Sequence, residues 1–158
     1  MSSIKGLMTI RPAEDEDIPA MAHIRSQEWG DLAYWMERIT GYKHCRLSPQ
    51  RALPERAIFV AVEGEYIVGF VAGHRTQRLS CDGELEWINV AAHRRGKGIA
   101  DRLIERMGVW FLEQNAHRIC VNADKDNVIA RRVYTRCGAK PLNDHWMVWE
   151  DAQSMRGR

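Results

Sequence analysis

No apolar run in this 158-residue chain approaches the roughly 20 residues that a membrane-crossing helix needs. The opening segment Met1-Ser2-Ser3-Ile4-Lys5 has no apolar signal-peptide core, so the expected compartment is the cytosol. A strong excess of one charge is also missing. Lys and Arg number 23 against 21 Asp and Glu, and a net charge of +2 is too small to make nucleic acid a main partner. None of the four cysteines, Cys45, Cys81, Cys120 and Cys137, belongs to a Cys-x-x-Cys pair, so no zinc or redox motif is indicated. They are expected to be free thiols, with Cys120 and Cys137 acting as small buried hydrophobes. No nucleophile turn surrounds any of them, which counts against a Cys/His hydrolase. Repeats, low-complexity runs and interdomain linkers are absent too. The expectation is one domain over residues 1–158, ending in a frayed tail from about 154.

What is present is a hydrophobic content of 45% arranged in short periodic segments. Met8 to Arg11 reads as a strand ended by Pro12. Glu14 to about Trp29 reads as a helix, with Ile18, Met21, Ala22 and Ile24-Arg25 on a helical period, and a second helix follows near Leu32 to Ile39. Ser48-Pro49 predicts a cap and a short helical turn. Ala57 to Val62 and Tyr66 to Gly73 form a predicted hairpin around Gly64. Strands are then expected over Glu84 to Val90, Arg118 to Asn122 and His145 to Trp149. Helices are expected over Gly98 to Gln114 and Asp126 to Cys137, the latter closed by Gly138. The pattern is a mixed α/β (α+β) sheet containing one β-α-β unit.

That unit carries the most informative stretch, Arg94-Arg95-Gly96-Lys97-Gly98-Ile99-Ala100, between a strand and a helix. A glycine-containing basic turn at a helix N-terminus is suited to phosphate. Its backbone N–H groups can approach an anion closely, and the helix dipole favours negative charge there. The turn reads Arg-x-x-Gly-x-Ala from Arg95 to Ala100, which is neither the Walker pattern nor Gly-x-Gly-x-x-Gly. Together with the acidic strand before it and Asn127-x-x-Ala130-x-x-x-Tyr134-x-x-x-Gly138 after it, the stretch from Glu84 to Gly138 resembles the GNAT superfamily of acetyl-CoA-dependent N-acetyltransferases. The resemblance covers about a third of the chain, in the family's order and spacing.

The resemblance implies a twisted, mostly antiparallel sheet flanked by helices and splayed at an acetyl-CoA cleft, with a strand bulge here expected near Ile88 to Val90. It implies that the amides of Gly96, Lys97, Gly98, Ile99 and Ala100 cradle the pyrophosphate beside Arg95. The strand backbone at Ile88, Asn89 and Val90 would pair with the pantetheine arm, and Asn127 and Arg131 would contribute from the next helix. Acetyl-CoA is the implied cosubstrate, with no metal. The implied reaction is direct acetyl transfer to a small-molecule or peptide amine in a ternary complex, and a homodimer is a common assembly in the family.

Such a reaction needs a base to take a proton from the amine and an acid to neutralise the leaving thiolate. Glu84 and Glu86, two apart on a strand, share a face, and like charges there should raise at least one pKa. Both are candidate bases, with Glu84 at a position where related enzymes carry a glutamate, and Asp82 is a weaker third. Tyr134 is the candidate acid. Each residue has a plainer reading: solvated strand acids, a half-buried helix tyrosine, and Asn127 as a helix cap. His74 could face the cleft from the hairpin and His145 from the last strand. His44 and Cys45 form no metal-ligand set with anything obvious. Six tryptophans are a high count. With Tyr34 and Tyr42, Trp29, Trp35, Trp87, Trp146 and Trp149 read either as an amine-holding aromatic pocket or as core and dimer contacts. Asp31 and Glu37 weakly suggest a cationic acceptor. A non-catalytic acyl-CoA-binding module on the same fold is the competing reading. A nucleic-acid binder using Arg94, Arg95, Lys97, Arg102 and Arg106 is a more distant one.

Overall fold

The computed structural model describes residues 7–157, so Met1 to Gly6 and Arg158 lie outside them. Seven strands form one sheet in the order β1-β2-β3-β4-β5-β7-β6: β1 Met8–Pro12, β2 Ala52–Glu63, β3 Tyr66–Thr76, β4 Gly83–Val90, β5 Ile119–Asn122, β6 Lys140–Pro141 and β7 Trp146–Trp149. Neighbours are antiparallel except β4 and β5, which are parallel and joined through helix α3 (Ile99–Glu113). Helices α1 (Ile18–Ser26) and α2 (Leu32–Lys43) cover one face. The other is covered by α3, with Ile99, Leu103, Ile104, Met107 and Phe111 buried along one stripe. Helix α4 (Val128–Arg136) leads from β5 toward β6. Two cores result. Phe59, Leu85 and Trp149 lie with α3, whereas Trp35, Ile39, Tyr42, Phe70 and Trp87 lie with α1 and α2.

The β4 strand explains how a cleft arises. Leu85 pairs with Gly73 and Trp87 with Ala72, so Glu86 is an extra residue on β4. The bulge is therefore at Glu86, not at Ile88 to Val90. Leu85 and Trp87 would share a face in a regular strand. The inserted residue sends Leu85 to the α3 core and Trp87 to the core under α2, where its ring meets Trp35 and Tyr42. Pairing with β5 covers only Gly83 to Leu85. Beyond the bulge, β4 and β5 part, and the edge of β4 from Glu86 to Val90 faces an open wedge.

Two local expectations fail. No helical turn follows Ser48-Pro49; the chain turns at Gln50 and Arg51 and enters β2 at Ala52. The carbonyls of Gln50 and Arg51 accept from Arg78 and from the amide of Gln77 and the hydroxyl of Thr76, so the end of β3 claims this backbone. Nor is the chain end frayed up to Gly157. Ala152–Ser154 make a 3-10 turn, Met155 is 2% exposed, and the Arg156 amide donates to the Cys137 carbonyl at 3.2 Å. The reason is Gly108 in α3. A side chain there would meet the Met155 Cβ at 2.9 Å, so the glycine leaves the notch that Met155 fills. Met155→Ala should therefore cost about 2–3 kcal/mol in a urea titration, whereas a frayed residue would cost almost nothing.

Candidate active site

The phosphate turn has the backbone that its glycines suggest. Gly96 and Gly98 take φ of +78° and +81°, values that L side chains rarely adopt. Gly98 caps α3 with no side-chain partner, and the first helical bond runs from Arg102 N to the Gly98 carbonyl at 3.3 Å. Among the described residues, no backbone N–H from Gly96 to Asp101 donates to a protein acceptor. This is an uncapped nest of donors at a helix N-terminus. The cations around it are less free than the sequence suggests. Arg94 pairs with Glu63. Arg95 turns back to the Val90 carbonyl (3.1 Å) and to Glu28 (2.7 Å). Lys97 is exposed and makes no ion pair within the described residues.

The acidic strand delivers a buried cluster. His74 on β3 lies opposite Glu84 on β4, and ligand-type atoms of His74, Glu84 and Glu86 all fall within 4.8 Å of one another. Two oxygens and an imidazole nitrogen at that spacing could hold a divalent ion. The local bonds give each group a distinct state. Burial pushes the Tyr42 phenol well above its ordinary pKa, and its only acceptor among the described residues is His74 Nδ1 at 2.9 Å. The other ring nitrogen, Nε2, lies 3.5 Å from Glu84 Oε1 and is buried without a hydrogen-bond partner among the described residues. That same oxygen accepts from Arg78 Nε at 3.1 Å. Glu84 is thus a paired carboxylate.

Glu86, on the bulge, has no hydrogen bond or ion pair within the described residues. Burial raises its pKa, the Glu84 charge adds to the rise, and His74, Arg38 and Arg78 oppose it. Asp82 goes the other way. Its carboxylate accepts from the Arg118 and His117 amides, which hold its pKa down and tie it to the β5 turn.

On α4, Tyr134 is 7% exposed at the edge of the α3 core and packs edge-on against Trp149, with ring centroids 5.8 Å apart. Burial pushes the phenol up to about 12, against the pull of Arg25. The first residues of α4 are engaged within the protein. Asn127 Oδ1 caps the helix by accepting from the Ala130 amide at 3.2 Å, and Arg131 donates to the carbonyls of Ala123 and Asn143. Asn89 accepts from Arg25 at 2.8 Å, and Ile88 and Val90 pack at the margin of the α3 core.

Most of the aromatic set is core. Trp35, Tyr42, Trp87 and Trp149 are buried, while Trp29 and Tyr34 stay exposed on the rim of α2. His145 pairs with Asp124 and His44 with Asp15, both at the surface. Asp31 is consumed as the α2 cap. Sequence reasoning missed Arg25 and Arg78, although Arg25 falls on the apolar stripe of α1 with Ile18, Met21 and Ala22. A charge at a core position was the available signal.

Comparison with known proteins agrees with this architecture. Residues 18–139 match the model of the acetyltransferase (GNAT) family. A protein of Bacillus subtilis (strain 168) described as an uncharacterized N-acetyltransferase, YobR, is 28% identical over 114 residues, which are 69% of this chain but only 42% of YobR. The fold superposes on an N-acetyltransferase from Staphylococcus aureus Mu50 with a TM-score of 0.71 at 18% identity, covering 93% of this chain and 99% of the other. It also superposes on the PaiA N-acetyltransferase of Thermoplasma acidophilum in complex with coenzyme A, with a TM-score of 0.67 at 12% identity, covering 90% and 98% of the two chains.

Proposed function

Since the chain belongs to the acetyltransferase (GNAT) family, we propose that it moves the acetyl group of acetyl-CoA to a primary amine by direct attack in a ternary complex. The observation that carries this reading is the wedge beside β4. Among the described residues it has unpartnered donors from Gly96 to Asp101 at one end, and an unpaired half-buried carboxylate, Glu86, on one of its walls. The pyrophosphate accepts from that nest, with Lys97 supplying charge. The pantetheine amides lie along the edge of β4 at Ile88 to Val90 that β5 leaves unpaired, displacing Arg95 from the Val90 carbonyl. Asn127 and Arg131 border the same arm from α4.

The geometry favours Glu86 over Glu84 as the base. Glu84 is held by Arg78, whereas Glu86 has no partner among the described residues and an upward-shifted pKa. The amine nitrogen bonds to the thioester carbonyl carbon as Glu86 takes its proton, and the carbon–sulfur bond then breaks. Tyr134 stays protonated at every physiological pH, so its O–H is available to the departing sulfur. Each proton is then accounted for, and no covalent enzyme intermediate is needed.

The test is thiol release from acetyl-CoA across a panel of primary amines. Release that depends on the amine, with the acetamide detected, supports the proposal. Binding of acetyl-CoA without release to any amine would assign a sensing module instead. Tyr134→Phe keeps the ring against Trp149 and removes only the hydroxyl. Turnover should fall about 10²-fold, with the acetyl-CoA KM little changed. Full activity in that variant would remove Tyr134 from the mechanism.

A further inference from the structure

Arg25 is the cation inside the cleft, and its environment bears on what the acceptor looks like. Its guanidinium lies 4.4 Å over the Trp35 ring and donates through Nη1 to Asn89 Oδ1 at 2.8 Å. Those two contacts fix the plane and one corner of the group. The other edge, bearing Nε–H and Nη2–H, is the fork that binds carboxylates in bidentate fashion. Nε is buried and has no hydrogen-bond partner, and Nη2 makes no hydrogen bond among the described residues. An unmatched buried donor is costly, and an incoming acceptor that matches both N–H groups removes that cost.

The surrounding acids cannot supply the acceptor. Glu28 is taken by Arg95, Glu84 by Arg78, and Asp31 by the α2 backbone. Glu86 is close enough to act on the charge of Arg25 but forms no ion pair with it. Arg38, exposed on α2, also bears on Glu86 and has no ion pair among the described residues. The cleft therefore holds one unpaired carboxylate facing surplus guanidinium charge, which disfavours an acceptor that is cationic throughout. Arg25 and Glu86 act on one another electrostatically, so an amine at Glu86 and an anion at Arg25 can belong to a single small molecule.

We infer that the acceptor is an amino acid in the broad sense, an amine that also bears a carboxylate, its amine at Glu86 and its carboxylate in the open fork of Arg25. This rests on the acetyl-transfer reading above and assigns its substrate class. Arg25 is then a specificity-determining residue, and the neutral thioester oxygen is the alternative occupant of its fork.

The experiment uses the full chain and compares kcat/KM for α-, β- and γ-amino acids with those for their methyl esters and for the matching decarboxylated amines. The free acids should be preferred at least tenfold, and the ratio should collapse toward one in Arg25→Gln while Arg25→Lys retains part of it. Should Arg25→Gln fail to fold by circular dichroism, the ester and amine comparisons on the unaltered protein still decide. Preference for esters or amines would overturn the substrate class and leave acetyl transfer standing. A changed acetyl-CoA KM in Arg25→Gln with an unchanged acid-to-amine ratio would give the fork to the thioester and also overturn it. No thiol release to any of these acceptors, in a protein that still binds acetyl-CoA, would overturn both readings.

Discussion

Gly98→Asp should abolish most of the rise in melting temperature that acetyl-CoA confers, and should lower kcat/KM for acetyl-CoA by about 10³-fold, while leaving the unliganded protein folded. A ligand at 100 times its Kd stabilises by about 2.7 kcal/mol, so the parent shift is large enough to read. The fold should survive because a Cβ at Gly98 meets nothing within 4 Å. Aspartate also tolerates the left-handed conformation better than most residues and is a good helix cap. That capping is why binding fails. The new carboxylate would accept from the free amides at the start of α3 and place negative charge where the pyrophosphate belongs. Gly98→Ala separates the two effects. It carries the backbone strain without the charge, so its loss should be small. An undiminished acetyl-CoA shift in folded Gly98→Asp would move the cofactor away from this turn.

The same turn shows what a sequence can and cannot disclose. Its glycines, its basic residues and the helix after it are local facts, and the hairpin at Gly64 and the apolar stripe of α3 are equally local. Each was legible from periodicity and turn chemistry. The partners of its cations are not local. Arg95 meets Glu28, 67 residues away, and Arg94 meets Glu63, 31 residues away. Only the fold decides that Lys97 is left without a pair among the described residues.

The bulge is a similar case. Leu85-Glu86-Trp87 reads as plain alternation, and nothing in those three residues says that two helical layers will claim Leu85 and Trp87 from opposite sides. Glu84 and Glu86 were expected to act on each other through strand spacing, and they do come together. Their difference arises from Arg78 and from the Tyr42–His74 bond, which spans 32 positions. Strand β6 escaped because two residues carry no period. The docked Met155 escaped because a lone apolar residue near a terminus looks the same whether or not a glycine in a distant helix has left room for it.

Glu86→Gln should lower turnover by about 10³-fold, within the usual range for removal of a general base, and it should change two pH dependences in opposite senses. The first is catalytic. Burial, with Glu84 adding, raises the Glu86 pKa above the ordinary glutamate value. The base is active only when ionised, so kcat/KM in the parent should climb with pH through a limb displaced upward from roughly 4.3. The acceptor amine gives a rising limb as well. Acceptors of differing amine pKa move that limb and leave the one belonging to Glu86 in place, and Glu86→Gln should lack the latter with every acceptor. The second is stability. Between its unfolded and folded pKa values, Glu86 binds more protons in the native state, so the protein loses stability as pH rises through that window and stays lower above it. Each pKa unit of the rise corresponds to about 1.4 kcal/mol. Glu86→Gln should therefore melt above the parent near pH 8, and that advantage should vanish near pH 4. Glu84→Gln should show no such gain, since it leaves Arg78 and His74 facing a neutral amide in a buried site. If Glu84→Gln abolishes turnover while Glu86→Gln keeps the parent profile, the roles of the two carboxylates are reversed. If Glu86→Gln alters stability as described and leaves turnover intact, the amine proton departs through solvent, and the half-buried carboxylate serves the site only by its charge.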